Sequence, residues 1–493
     1  MPRIETGFFP KGSSVRVGSR RLIKLATWMA ALAVLLIVAA ALLERAGTPP
    51  RALGLYLERR AQGHHPMIEK AGNWAGQTLL ALDRPDAGGA AGQPLQFTPQ
   101  LGAQAAPGGR VILVRGAEDA QKAIEEAQAG DVITFIPGTY AFSGGRGRID
   151  ARQAGRPGKE IVVRAERPGT VQLEFDLIEG FKVSGPYWTF ENLSIRGTCK
   201  DHSACEHAFH VVGAARHFIA RGNTLTDFNA QFKINAEGDA APDDGLLEGN
   251  VMSNSSVRRT ANPVTPIDLV VASRWMIRGN HISDFVKGEG NQVSYGAFAK
   301  GAGEANRFES NLVVCEQRLR GHPGSRVGLS LGGGGTDPGL CRDKRCITEQ
   351  SGGVIAANLI SACSDSGIYL NKAAASVIRH NTLLDTGPLD VRFPESSADL
   401  DGNLVDSAVR SRDGGVLREA DNRQTGMARL YTGQHPVRDL FADAPAFDLR
   451  WRGAVPRAAG GQAGVPDLCG GPRPAQPALG AAEDYTRCLR AGR

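Results

Sequence analysis

The chain has 493 residues, enough for a large core, yet it carries 62 glycines and only 6% aromatic residues, a balance that points away from an ordinary helical globule. Its net charge of +6 is spread over interspersed Lys, Arg, Asp and Glu without the basic blocks that track a phosphate backbone, which sets nucleic acid aside as a partner. The same mild balance is compatible with an acidic polymer.

From the N-terminus, the first feature is the apolar run Leu25 to Leu43, long enough at helical rise to cross a hydrocarbon core of about 30 Å. Arg16, Arg20, Arg21 and Lys24 precede it, while only Glu44, Arg45 and Arg51 follow closely. The positive-inside rule therefore predicts a cytoplasmic tail over 1–20, a transmembrane anchor over 21–45 in an inner membrane, and a periplasmic body. A cleaved signal peptide with Ala39-Ala40-Ala41 as its small-residue site competes, although that triplet lies inside a core longer than the usual h-region. The eight cysteines suit an oxidising compartment, with Cys199 close to Cys205, Cys341 to Cys346 and Cys469 to Cys488, and with Cys315 and Cys363 left as a long-range pair. Zinc is the alternative, but no pair has C-x-x-C spacing and no His stands at ligand spacing, so disulfides or buried thiols are expected.

Residues 51–82 place Leu53, Leu55, Tyr56, Leu57, Ile68, Trp74, Leu79 and Leu80 among charges, which predicts one or two short amphipathic helices. With the Gly, Ala, Pro and Gln stretch 83–109, read as a flexible linker, they form a stem over 46–109. Beyond it the pattern predicts a strand over 111–114, a helix over 118–127 and a strand over 132–136, closed by Pro137-Gly138. A β-helix domain is expected over 110–450, followed by a loose Pro/Gly/Arg-rich tail over 451–493 held by Cys469 and Cys488.

That domain rests on a repeat. Asn192, Asn223, Asn250, Asn280, Asn311, Asn358, Asn381 and Asn403 recur in similar contexts, with one wider gap that can hold an insertion. Ahead of several of them lies a three-residue strand alternating in, out, in: Phe209-His210-Val211, Phe232-Lys233-Ile234, Ile267-Asp268-Leu269, Ile368-Tyr369-Leu370 and Val391-Arg392-Phe393. Such short strands bury their apolar side chains only by stacking on neighbouring coils, and an Asn at the same turn of every coil can hydrogen-bond along the stack. The L-x-x-L-x-L frame of leucine-rich repeats and the signatures of propellers are absent. The expected fold is all-β, a right-handed parallel β-helix with an N-terminal capping helix, preceded by one transmembrane helix.

In such a stack, His210, Lys233, Asp268, Lys300, Ser330, Tyr369 and Arg392 are expected to line one face as a polar groove. Lys300 faces out if Ala297 and Ala299 point inward; the other register puts Ala299 outside and Lys300 at the turn. The same side chains could simply solubilise an exposed sheet. His207, His217, His281, His322 and His380 lie in turns without a common spacing and read as turn histidines, not metal ligands. Gly332 to Gly335 read as a tight turn or a close approach for sugar. Asp243-Asp244 and Asp337 are loop acids without the alternating acidic pattern of a calcium loop.

The run Ala129-Gly130-Asp131-Val132-Ile133-Thr134-Phe135-Ile136-Pro137-Gly138-Thr139-Tyr140, with the helix before it, resembles the opening of pectate-lyase-like β-helix proteins, with the chondroitinase B and alginate lyase group as the nearest likeness. Lys159-Glu160-Ile161-Val162-Val163 and Pro168-Gly169-Thr170-Val171 are similar to the coil that follows. The resemblance covers roughly residues 110–410. It implies a catalytic Lys at a strand end before a coil-turn Asn, which falls on Lys300 in Phe298-Ala299-Lys300-Gly301, ahead of Asn311. It also implies calcium, but Val293 and Tyr295 stand where the family has its calcium carboxylates, and Gly332 stands where it has an Arg. No cofactor is therefore assigned.

For β-elimination or C5 epimerisation of a uronic acid, a base must take the proton α to the carboxylate and a cation must offset that carboxylate. Lys300 is the expected base, Arg326 or Arg392 the carboxylate clamp and Tyr369 the donor to the leaving oxygen. His210, Lys233, Asp268 and Ser330 are the expected substrate-binding residues. The alternative, from a different class, is a non-catalytic β-helix that binds or guides an exopolysaccharide beside its export machinery. A glycoside hydrolase ranks third, because Asp268 has no evident acidic partner on an adjacent coil.

Overall fold

The computed structural model describes residues 18–84, 95–101, 108–144, 147–460 and 465–491. The chain divides into two units, Met1–Thr48 and Pro49–Arg493. The first contributes helix α1 (Gly18–Ala46). Among the described residues no helix is long and apolar enough to cross a membrane. This overturns the transmembrane anchor, and with it the inner-membrane and periplasmic assignment and the role beside an export machinery that rested on it. The charges that were to flank a span, Arg20, Arg21, Lys24, Glu44 and Arg45, belong to the helix itself. Residues 1–17, most of the expected cytoplasmic tail, lie outside the described residues.

The second unit is a parallel β-helix with three sheets of 12, 11 and 10 strands, in each of which spatial order follows chain order. Helix α4 (Ala117–Glu125) caps its N-terminal end by turning Ala120 and Ile124 into the core, beneath the strands Val111–Val114 and Val132–Phe135. Side chains alternate strictly in short strands, so each inward position forms a ladder. Phe181, Phe209 and Phe232 stack in this way with centroids 5.2 Å apart at each step, and Ile267, Ala297, Leu329, Ile368 and Leu389 continue the row.

The repeated Asn forms a buried ladder. The Nδ2 of Asn223, Asn250, Asn280, Asn311, Asn358, Asn381 and Asn403 each donates to the Oδ1 of the next, ending on Asn422, at 2.8 to 3.0 Å. Each Oδ1 also accepts the backbone N–H of the preceding ladder residue. Asn192 is not a member: Leu193 occupies its rung, and Asn192 stands one residue earlier, in the left-handed region at φ 62° where other coils have Gly222, Gly249 and Gly279. Both Asn and Gly tolerate that conformation, which explains the false start. The wide gap between Asn311 and Asn358 holds two inserted loops on either side of the strand Ser325–Gly332. All eight cysteines are joined as expected from spacing, in the disulfides Cys199–Cys205, Cys315–Cys363, Cys341–Cys346 and Cys469–Cys488.

Part of the 83–109 stretch, 85–94 and 102–107, lies outside the described residues, but Leu95–Phe97 is a strand paired antiparallel with Leu489–Ala491. The C-terminal segment is accordingly not a loose tail. Leu468, Cys469, Tyr485 and Cys488 are buried against Leu312, Leu359 and Leu404, forming a second apolar cluster on the flank of the coil stack.

Helices α2 (Pro50–Ala61) and α3 (Pro66–Asp83) pack as a hairpin tied to the coils by a buried ionic hub. The fully buried Arg51 guanidinium lies 2.6 Å from Asp83 and 3.1 Å from Asp385 and donates to the carbonyls of Cys363 and Asp385. Burial alone would raise the pKa of Asp385, but Arg84, Arg51, Arg320 and Arg438 outweigh it and hold the carboxyl down at about 2. A depressed carboxyl stabilises the fold above its unfolded pKa and loses that contribution as pH falls through the folded value. The stability difference between wild type and Asp385→Asn is therefore expected to shrink by about 2 kcal/mol between about pH 4 and about pH 2. Chemical denaturation at both pH values reads this, and an unchanged difference would remove Asp385 from that role.

Candidate functional site

The 10-stranded sheet carries the outward ladder Lys182, His210, Lys233, Asp268, Phe298, Ser330, Tyr369, Asp390 and Arg410. His210, Lys233, Asp268, Ser330 and Tyr369 are thus stacked in the expected register. Lys300 and Arg392 are not in that row. Ala297 and Ala299 point inward, Phe298 takes the outward place, and Lys300 emerges two residues later at the strand end. Arg392 likewise pairs with Asn371, because Leu389-Asp390-Val391 is the true triplet of its coil.

Two adjoining cavities lie over this sheet, and Lys233, Val270 and Leu340 line both. The first, of about 1120 Å³, has His207, His210, Lys233, Asn235 and Arg342 around it. The second, of about 730 Å³, is bounded by Lys233, Asp268, Lys287, Tyr295, Phe298 and Lys300. The loop that begins at Gly332 and is closed by Cys341–Cys346 stands between them; its Leu340 is exposed and belongs to both linings. Arg342 anchors the loop through a two-pronged contact with Asp243, at 2.8 Å for each prong. Glycine is required at the loop's start. Gly332 has φ 71°, and a Cβ there would lie 1.9 Å from the carbonyl oxygen of Asn371; a Cβ on Gly333 would press on the Lys300 stem at 2.9 Å.

The second cavity has the more unusual electrostatics. Lys233 is paired with Asp268 at 2.9 Å. Lys287, only 5% exposed, donates to the Asn291 amide at 3.0 Å, and burial lowers its pKa. The Lys300 ammonium lies 4.8 Å from the centroid of the Phe298 ring, a cation–π contact. Among the described residues neither Lys287 nor Lys300 has a carboxylate partner. Asp337, at the cavity wall, spends its Oδ1 on the backbone N–H of Gly339 at 2.8 Å. Burial pushes the Tyr295 hydroxyl up to about 12, so it is a proton donor at neutral pH.

In the first cavity His210 is held between Glu179, 2.7 Å from Nδ1, and the Asn235 Oδ1, 2.9 Å from Nε2. The Asn235 amide nitrogen donates to the Ala236 carbonyl, which fixes its oxygen toward His210. Both His210 nitrogens therefore face acceptors. His207, with ring centroid 5.2 Å away, has its pKa lowered to about 4 by burial and by His210 and Lys233, and is neutral near pH 7.

The remaining expected residues are engaged elsewhere. Arg326 is 1% exposed, is paired with the buried Glu316 at 2.6 Å and donates to the Pro323 carbonyl, so it cannot reach a substrate carboxylate. Ser330 is fully buried, and its one O–H is shared between the carbonyls of Tyr369 and Gly332. Tyr369 and Arg392 border neither cavity; the Tyr369 hydroxyl accepts from Asn371 at 3.2 Å, and Arg392 is paired with Asp413. The loop acids Asp243 and Asp244 are paired with Arg274 and, for Asp243, Arg342. Among the described residues no group of three or more His, Cys, Asp or Glu is placed to hold a metal ion.

No protein-family model matches the chain, and no curated protein matches it. Solved structures do. The pectate lyase Pel9A superposes with a TM-score of 0.51 at 14% identity, over 74% of this chain and 90% of its own. A PL6 family polysaccharide lyase from Pseudopedobacter saltans gives 0.34 at 12% identity, over 71% of this chain and 100% of its own. A rhamnogalacturonan lyase gives 0.35 at 14%, over 64% and 87%. The chain is thus a parallel β-helix protein with the fold broadly shared by polysaccharide lyases of the pectate and alginate type.

Proposed function

We propose that this protein holds an acidic polysaccharide in the groove over the 10-stranded sheet, with a sugar carboxylate at Lys300 and Lys287 and a pyranose face against Phe298 and Tyr295. The observation that carries this reading is the pair of lysines left without a carboxylate partner among the described residues, gathered beside two aromatic rings in an open cavity. A cation bound over a ring face, with room beside it, favours an anion attached to a flat apolar body, and a uronic acid has that form. The pectate lyase Pel9A, which shares this fold, is named for an acidic polymer, and this agrees in substrate class. Affinity electrophoresis tests it: migration is expected to be retarded in gels containing polyuronate, progressively less so with added salt, and unaffected by neutral dextran. Equal retardation by both polymers would contradict it.

A second reading, proton abstraction, is favoured by the burial of Lys287, which lowers its pKa, in the same cavity as Lys300 and Tyr295. Lys287 as the neutral amine would take the proton α to a carboxylate held by Lys300, while the Tyr295 hydroxyl protonates the leaving glycosidic oxygen. A carbon–carbon double bond forms as the carbon–oxygen bond breaks. Absorbance of the unsaturated product on incubation with polyuronates supports it; intact polymer with undiminished binding leaves the protein a binder.

A further inference from the structure

The strand Val293–Lys300 loses its next neighbour in the sheet just where Lys300 leaves it. On the preceding coil Val270 stands beside Lys300, and the Val271 N–H donates to the Lys300 carbonyl at 2.8 Å. The same parallel register, one coil on, would hand the Gly301 N–H to the Gly332 carbonyl. The chain instead turns away at Gly332, at φ 71°, into the inserted loop. Glu349, at the far end of that loop, supplies the missing acceptor. Its Oε2 accepts from the Gly301 N–H at 3.2 Å and from the Thr336 hydroxyl at 2.9 Å. Glu349 is only 2% exposed, and its own carbonyl accepts the next N–H, that of Ala302, at 2.8 Å. A buried N–H left without such an acceptor would cost stability and free the backbone to move. Gly301 follows Lys300 directly, so the bond fixes the peptide from which the lysine side chain emerges. On the other side Gly333 leaves no room for a Cβ beside the Lys300 stem.

We infer that Glu349 is a positioning residue of the lysine cavity: it takes the place of the absent backbone acceptor, holds the Gly301 peptide, and through it keeps the Lys300 ammonium over the Phe298 ring, ready for a sugar carboxylate. Glu349 lines neither cavity, so it acts through Lys300 and does not touch the ligand. A side chain that is set before the ligand arrives has less freedom to lose on binding. This rests on the acidic-polysaccharide reading above.

The full chain carrying lysine labelled with 13C at Cε reports the geometry without any ligand, since protons held over a ring face are displaced upfield. The Lys300 signal is identified by its absence from Lys300→Arg. Wild type and Glu349→Gln, whose amide oxygen can take both bonds, are expected to show the displaced signal. In Glu349→Ala it is expected to move toward the exposed lysines, with oligogalacturonate affinity in calorimetric titration lowered about tenfold. Asn403→Ala, which cuts the buried Asn ladder in a later coil, is expected to lower the melting temperature and leave the Lys300 signal in place, which separates positioning from stability. An unmoved signal in Glu349→Ala would overturn the inference and leave the polysaccharide reading standing. Failure of the wild-type protein to bind oligogalacturonate would overturn that reading, and with it the part of Glu349 in binding. Should Glu349→Ala not fold, Thr336→Val, which removes one of the two donors to Oε2, decides by the same signal: a shift toward the exposed lysines supports the inference and an unmoved signal overturns it.

Discussion

Replacing both Lys287 and Lys300 by alanine is expected to abolish measurable binding of an acidic polymer. Each lysine offers a charge-assisted hydrogen bond, worth about 1.5–3 kcal/mol, so the double variant should lose on the order of 100-fold or more in affinity. Lys300→Ala alone should account for about tenfold with little change in melting temperature, because its ammonium is at the cavity surface. Lys287→Ala should leave the fold intact as well, since the change removes a buried cation whose sole hydrogen bond is to Asn291 among the described residues. Lys372→Ala is the reference: it lies in a turn at φ 59°, outside both cavities, and should behave as wild type. If the double variant binds as tightly as that reference, the cavity is not the site.

The largest expected effect on stability comes from the ladder. Asn311→Ala leaves the Asn280 N–H without its acceptor, removes one partner of the Asn280 amide and strips the Ile277 carbonyl of its donor, all of them buried. Buried groups left unpaired cost about 1–3 kcal/mol each, and the Asn280 N–H and the Ile277 carbonyl are two such groups, so a loss of about 2–6 kcal/mol is expected. Asn422→Ala, at the less buried C-terminal end where the ladder stops, should cost much less. Thermal unfolding of the two variants measures the contrast, and similar melting temperatures would mean that the ladder does not carry coil stacking.

These two features were unequally legible in the sequence. The ladder was visible because a buried rung tolerates little but Asn: two donors and an acceptor must all be met at one place in each coil, and only the αL position before it blurred the start at Asn192. The triplets around His210, Lys233, Asp268 and Tyr369 were visible for the same periodic reason. Lys287 and Tyr295 were not, because one precedes the long strand Val293–Lys300 and the other lies in its first half, ahead of the triplet Ala297-Phe298-Ala299 that aligns with the repeat. Arg326 was misplaced because its partner Glu316 comes from an inserted loop with no period, and Ser330 because a hydroxyl that serves its own turn looks no different in sequence from one that faces a ligand. The apolar run at Leu25–Leu43 reads in sequence as a span with flanking charges, because neither hydropathy nor charge bias registers that Arg20, Arg21, Lys24, Glu44 and Arg45 share its helix.

The claim that an acidic sugar chain occupies the lysine cavity is tested most directly by lysine footprinting. Wild-type protein is acylated with and without saturating acidic polymer, and labelling is read at Lys300 and Lys372, both partly exposed. The expected result is protection of Lys300 in the presence of the polymer while Lys372 labels unchanged. Undiminished labelling of Lys300 at a polymer concentration that saturates binding would contradict the assignment.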